Sequence, residues 1–177
     1  MTTSLRALTG DYVLDQARTR IGFVARHTVG PAVHGQFDRF AGTGHLDGDD
    51  PSRSRVELTV QAASVRTGNP QRDRYLRGKY LRDADHPVIT FTSDRVERTG
   101  EAAFRVTGDL SIRGVRNPIT LELELTGDGD DLRLKGGVTI DRTDWGVKWT
   151  AAAGLVARKV ALELDLAATR RPAPTGD

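Results

Sequence analysis

The sequence predicts an all-β fold in which eight antiparallel strands roll into a barrel, with one short helix set among them. Three observations carry that reading. Apolar and polar residues alternate along most of the chain, short turn-forming links separate the alternating runs, and only one stretch, Thr67 to Asp83, has helical punctuation.

Taken in order, the strand candidates begin with "TRIGFVARH" near the N-terminus. The second, "VHGQFDRFAGTGHL" after Gly30-Pro31, puts Phe37 and Phe40 on opposite parities, so a bulge is expected if both face inward. The third, "RVELTVQA", alternates Val56, Leu58, Val60 and Ala62 against polar neighbours. "VITFTSDRVE" follows His86-Pro87, and "FRVTGDLSI" sets Phe104, Val106, Gly108, Leu110 and Ile112 on one face. The clearest alternation is "ITLELEL", where Ile119, Leu121, Leu123 and Leu125 oppose Thr120, Glu122 and Glu124. "LRLKGGVTID" and "VALELDL" complete the set. The links "RTGEA", "RGVRNP" and "TGDGDD" are short and rich in Gly, Asn and Asp, which favours up-and-down connectivity. Glycines inside strands, at Gly35, Gly42, Gly108 and Gly136-Gly137, suit the bends by which a sheet closes on itself.

The exception, "TGNPQRDRYLRGKYLRD", reads as a helix from Asn69 to about Leu81. Asn69 is a capping residue and Pro70 occupies the first helical position. Tyr75, Leu76, Lys79 and Tyr80 fall on one face at helical spacing, while Arg72, Arg74 and Arg77 are left for solvent or for acceptors on the barrel rim. One short helix has no other partner for its apolar groups, so Leu76 and Tyr80 are expected to turn toward the barrel, with Arg72 or Asp73 bonded to the rim.

Composition narrows the function classes. A chain of 177 residues fits one domain. Its 26 Lys+Arg nearly balance 24 Asp+Glu, giving a net charge of +2, so the whole-protein charge does not argue for nucleic acid. The arginines of "RDRYLRGKY" also lack the aromatics alternating along a strand face that base stacking requires. With no cysteine, disulfides, thiolate metal sites and cysteine nucleophiles are excluded. "MTTSLRALTGDYVLDQARTR" has no apolar run like that of a signal peptide, and no later segment approaches a membrane span, so a soluble cytoplasmic protein is expected. Residues 1–9 read as an N-terminal extension, 10–169 as the barrel domain, and 170–177 as a disordered Pro/Gly-rich tail.

If parity holds, the inward set is Ile21, Phe23, Phe37, Leu58, Val60, Ile89, Phe91, Phe104, Val106, Leu110, Leu121, Leu123, Leu162 and Leu164. His27, His34, His45 and His86 match no common zinc spacing, and no metal or cofactor is implied. Nor is there a G-x-S-x-G, a phosphate-cradling glycine loop or an HExxH, and no enzyme is expected. Arg142 and Asp144, ahead of Trp145-Gly146, read as groups that pin a sharp turn, with Trp149 near Trp145 to close the mouth.

From Tyr12 to Leu166 the chain resembles the YceI-like family of lipocalin-like, polyisoprenoid-binding barrels. The resemblance is carried, in order, by "YVLD", "IGFVARH", "HGQFDRFAG", "SVRTGNPQRDRYLRGKYL", "HPVITF", "VTGDLSIRGV" and "DRTDWG". It implies an eight-stranded antiparallel lipocalin-like barrel with the helix beside its mouth, and a cavity for an isoprenoid, isoprenoid quinone or acyl chain. On that reading the ligand contacts come from Phe23, Phe37, Leu58, Val60, Leu76, Tyr80, Ile89, Phe91, Phe104, Leu110 and Trp145. The expected partner is this long-chain ligand, with a homodimer left open. The alternative is an enzyme acting on an isoprenoid or lipid-like substrate held in the barrel, with Asp or His at the mouth as acid or base. Tyr75 stands where the family pattern has histidine and Trp145 where it has phenylalanine. Periplasmic members also begin with a signal peptide.

Overall fold

The computed structural model describes residues 5–27, 31–128, 130–147 and 156–172. Its strands are β1 (Gly10–Leu14), β2 (Arg20–His27), β3 (Val33–Phe37), β4 (Phe40–Leu46), β5 (Arg55–Gln61), β6 (Val65–Arg66), β7 (Val88–Arg98), β8 (Ala103–Ile112), β9 (Val115–Asp128), β10 (Asp131–Asp141) and β11 (Val156–Arg170). Helix α1 (Pro70–Tyr75) runs directly into a π turn, Leu76–Tyr80.

The ring β1-β4-β5-β7-β8-β9-β10-β11 closes because β1 pairs with both β4 and β11. Strand β11 is long enough to serve two neighbours: Ala168–Arg170 pair with β1, while residues 160–165 pair with β2. Strands β1 and β2 are therefore successive pieces of one barrel strand, as are β3 and β4. The short β6 continues β5 in the same way, pairing with β3. Three broken strands and five continuous ones give the eight-stranded antiparallel barrel, each strand lying beside the next in sequence.

Each break has a local cause. Between β1 and β2, Asp15 caps the turn Gln16–Arg18 by accepting from Ala17 N (3.0 Å). The Thr19 hydroxyl then replaces a ladder rung, donating to Ala167 O (3.2 Å) and accepting from Ala167 N (3.0 Å). Between β3 and β4 the chain kinks at Asp38-Arg39, where Asp38 N donates to Ser64 O (3.1 Å) and Gln61 N to Arg39 O (2.9 Å). That kink is the bulge expected from Phe37 and Phe40, and it lets both rings join the core despite their opposite parity. A further irregularity lies in β7 between Ser93 and Arg95, opposite Gly108. A Cβ at Gly108 would stand 2.3 Å from Thr92 O and 2.8 Å from Phe91 Cζ, so only glycine admits this approach.

Two elements are tighter than expected. The β8–β9 link is a two-residue turn at Arg113-Gly114, both with positive φ, and Asn117-Pro118 already belong to β9. At the other end, the turn Leu5–Leu8 packs onto the barrel. Leu8 is buried, the Tyr12 hydroxyl donates to Leu8 O (2.6 Å), and Arg170 Nη2 donates to Ala7 O (2.7 Å).

Alternation sorts the rest. In β9, Ile119, Leu121, Leu123 and Leu125 are buried, while Glu122 and Glu124 are exposed, and Arg105 Nε donates to Glu122 across the outer face (2.7 Å). Among the described residues, no helix is long and apolar enough to cross a membrane.

Candidate ligand cavity

The barrel interior is not filled. An outer chamber with a cavity volume of about 160 Å³ lies beneath the α1 lid, and a second of about 90 Å³ lies toward the end covered by Leu5–Leu8. Of the residues expected to contact ligand, Phe23, Phe37, Leu58, Val60, Leu76, Tyr80, Ile89, Phe91 and Leu110 line the outer chamber. Phe104 lines the inner one. Trp145 lines neither chamber: it is buried behind the wall, where its indole N–H donates to Leu110 O (2.8 Å). The remaining inward assignments divide the same way, with Ile21, Leu121, Leu162 and Leu164 outside and Val106 and Leu123 inside.

The division follows strand position. Along β9 the outer pair Ile119 and Leu121 gives way to Leu123 and Leu125, and along β11 Val160, Leu162 and Leu164 give way to Leu166 and Ala168. Leu58 borders both chambers. It sits opposite Gly42 in the β4–β5 register and Phe91 in the β5–β7 register, and a Cβ on Gly42 would lie 2.6 Å from Leu58 Cδ2. On the opposite wall Phe23 and Phe37 pack with centroids 5.8 Å apart. The Phe23 ring lies over Gly35, where a Cβ would come within 2.2 Å of Cζ.

The lid helix begins as its sequence suggests. Asn69 Oδ1 accepts from Gln71 N and Arg72 N, both at 3.1 Å, and Pro70 opens the helix. Leu76 and Tyr80 are buried over the outer chamber, joined by Leu81. Tyr75 does not share their face and is 56% exposed. The helix widens at Leu76, where Leu81 N donates to Leu76 O (2.7 Å), and this π turn aligns Leu76 with Tyr80 as a single buried seam that leaves Tyr75 and Lys79 outside. Arg72 and Asp73 close on Thr67, at the lid's own root, rather than on the rim. Arg72 Nε donates to Thr67 Oγ1 (2.8 Å) and Nη2 to Thr67 O (2.9 Å), while Asp73 Oδ1 accepts from Thr67 N (2.9 Å) and Oγ1 (2.5 Å). Below this knot Arg66 Nε donates to Asp38 (2.7 Å), and that bond holds the Asp38 carboxyl below the usual carboxylate range.

The polar part of the outer wall is small: Thr90, Tyr80 and Arg142. Arg142 is 7% exposed, and its Nη1 donates to Val147 O (2.7 Å). Burial pulls its guanidinium below the ordinary arginine range, with the nearby charge of Asp141 opposing. The sequence placed Arg142 in a pinned turn, and the turn is there, but Asp141 caps it by accepting from Thr143 N (3.0 Å) and Oγ1 (2.6 Å). Asp144 contributes its backbone carbonyl, which accepts from Asn117 Nδ2 (2.9 Å). Nothing in "DRTDWG" distinguishes a buried cation from a surface one. Trp149 lies outside the described residues. His45 Nδ1 meets Asp11 Oδ1 at 2.8 Å, and among the described residues no group of three His, Cys, Asp or Glu could hold a metal.

A closed eight-stranded barrel with an apolar interior and a helical lid is a lipocalin-like architecture, wide enough to be filled by side chains or to hold one small ligand. The chain belongs to the YceI-like domain family, whose model matches residues 12–168. A UPF0312 protein of Pseudomonas aeruginosa is 32% identical over 155 residues, covering 82% of this chain and 81% of that protein. Among solved structures, Burkholderia cenocepacia BcnA superimposes with a TM-score of 0.83 at 24% identity, over 88% of this chain and 99% of BcnA. A polyisoprenoid-binding domain from Saccharophagus degradans, implicated in plant cell wall breakdown, gives 0.73 at 18% identity, over 90% of this chain and 98% of that domain.

Proposed function

We propose that this protein binds one long apolar chain, polyisoprenoid, isoprenoid quinone or acyl, with the tail in the outer chamber and the polar end at the mouth beside Tyr80 and Arg142. The observation that carries this is the outer chamber itself, roofed by a lid and walled by aliphatic and aromatic side chains. The driving force is burial: each methylene taken from water contributes about 0.8 kcal/mol before ordering costs, so a long tail binds with few polar contacts. The polyisoprenoid binding of the Saccharophagus domain supports the ligand class.

Binding is favoured over turnover because, among the described residues, no carboxylate or histidine lines the outer chamber. A general acid or base must stand within hydrogen-bond reach of the reacting atoms. Titration of the delipidated protein with a polyene fatty acid, read by its fluorescence and competed by a polyprenol, tests the proposal. Saturable uptake of one probe per protomer, displaced by the polyprenol, is expected. Uptake that does not saturate, or that leaves the chamber accessible to a second probe of equal affinity, would exclude a one-chain site.

A further inference from the structure

The large hydrophobic side chains exposed among the described residues are Tyr75, Val88 and Val115, and all three stand at the mouth end. Tyr75 rides on the outer face of the lid, next to the buried Leu76. Val88 and Val115 begin β7 and β9 on the same rim, where His86 packs over the β8–β9 turn: a Cβ on Gly114 would lie 2.8 Å from its imidazole. Scattered apolar residues on a surface mean little, but three gathered around the entrance to an apolar cavity do not fit that background.

The charges around them are predominantly cationic. Between Asn69 and Asp83 the chain carries Arg72, Arg74, Arg77, Lys79 and Arg82 against Asp73 and Asp83. Arg72 and Asp73 are committed to Thr67, and Arg82 pairs with Asp85 (2.9 Å). Among the described residues Arg74, Arg77 and Lys79 meet no carboxylate. The turn from Ile112 to Arg116 adds Arg113 and Arg116 and no acid. The far end differs: Asp49, Asp130 and Asp131 are there, and each faces an arginine, Arg6, Arg170 and Arg18 respectively. A net charge of +2 thus conceals an excess of cations at the mouth.

We infer that the mouth docks on an anionic membrane surface, with Arg74, Arg77 and Lys79 on the phospholipid headgroups and Tyr75 in the interfacial layer. Cations attract the anionic leaflet, and the amphipathic tyrosine ring settles at headgroup depth. Docking in this orientation places the lid and the cavity entrance against the bilayer, so an apolar chain passes between lipid and barrel without crossing water. Its purpose rests on the proposed ligand class, while its geometry is independent of it.

The test is co-sedimentation of the full chain with phosphatidylcholine vesicles, with and without phosphatidylglycerol, at low and high salt. Binding that requires phosphatidylglycerol and falls with salt is expected. Arg74→Gln and Arg77→Gln should each weaken it about fivefold, Tyr75→Ser should weaken it further, and Arg53→Gln at the far end should leave it unchanged. The polyene fatty acid added from ethanol should bind all four variants like wild type. Failure of that uptake in wild type would remove the ligand proposal and leave the docking result to stand on the vesicles. Equal binding to neutral and anionic vesicles, equal loss from Arg53→Gln, or tighter binding to duplex DNA that the same lid variants abolish would overturn the inference.

Discussion

Replacing Leu76 by alanine tests the lid most sharply. The side chain is 6% exposed and roofs the outer chamber, so its truncation removes apolar contact with the barrel while the space beneath already exists. The transfer part, three carbons at about 0.8 kcal/mol each, comes to about 2.4 kcal/mol. The added cavity penalty should be small, because the chamber is open before the change, which puts the total near the lower end of the roughly 2 to 5 kcal/mol range for such substitutions. For a domain of this size that is a fall in Tm of about 5 to 10 °C. Arg74→Ala, on the exposed face, should stay within about 0.5 kcal/mol. Urea melts of both variants, with the fluorescent fatty acid titrated into each, give the comparison. Leu76→Ala should lose stability and retain ligand more weakly, since the lid closes the cavity. Were Leu76→Ala to melt like wild type while Arg74→Ala abolished uptake, the helix would be a charged recognition element rather than a lid.

Other consequences follow from single contacts. Gly35→Ala drives a Cβ into the Phe23 ring, and should cost about 1 to 3 kcal/mol in a chemical melt and lower the affinity for the bulkiest chains. Leu58→Ala joins the two chambers, so affinity in a series of n-alkanols should go on rising past the chain length at which wild type levels off; an unmoved plateau would show that Leu58 is no partition. Asn69→Ala removes the acceptor for two helix N–H groups and should cost about 1 kcal/mol, with faster amide exchange confined to the lid. The Asp38 carboxyl is lowered chiefly by its bond to Arg66, so its stabilisation is full above the ordinary carboxylate range and is lost as pH falls through the lowered value. Both partners are substantially exposed, so Asp38→Asn should only slightly reduce the difference between melts at neutral and strongly acidic pH.

Much of the barrel was legible because one face of each strand is buried, and burial writes a period of two into the chain. The fourteen inward residues read from parity all border one of the two chambers. Phe37 and Phe40 went further: their conflicting parity located the break between β3 and β4. The breaks at Gln16–Arg18 and Ala62–Ser64 were not visible, because short polar or small-residue segments look alike as strand, turn or link. Helical spacing groups Tyr75 with Leu76, and no sequence rule foretells the switch to a π turn that leaves it exposed. Arg142 went unseen as part of the cavity wall, since a buried guanidinium satisfied by a backbone carbonyl has no motif. The family resemblance implies a ligand contact for Trp145, but its N–H is directed to Leu110 O and it lines neither chamber. That Leu58 borders both chambers depends on which side chains meet across the barrel, and alternation along single strands carries no such information.

Native mass spectrometry of the purified full chain, with organic extraction of the same sample, tests the central claim most directly. The proposed function predicts a protomer carrying one apolar molecule, released by extraction as an isoprenoid or acyl chain and restored by incubating the stripped protein with a polyprenol. A spectrum of bare protein alone, unchanged after incubation with polyprenol or fatty acid, would contradict it.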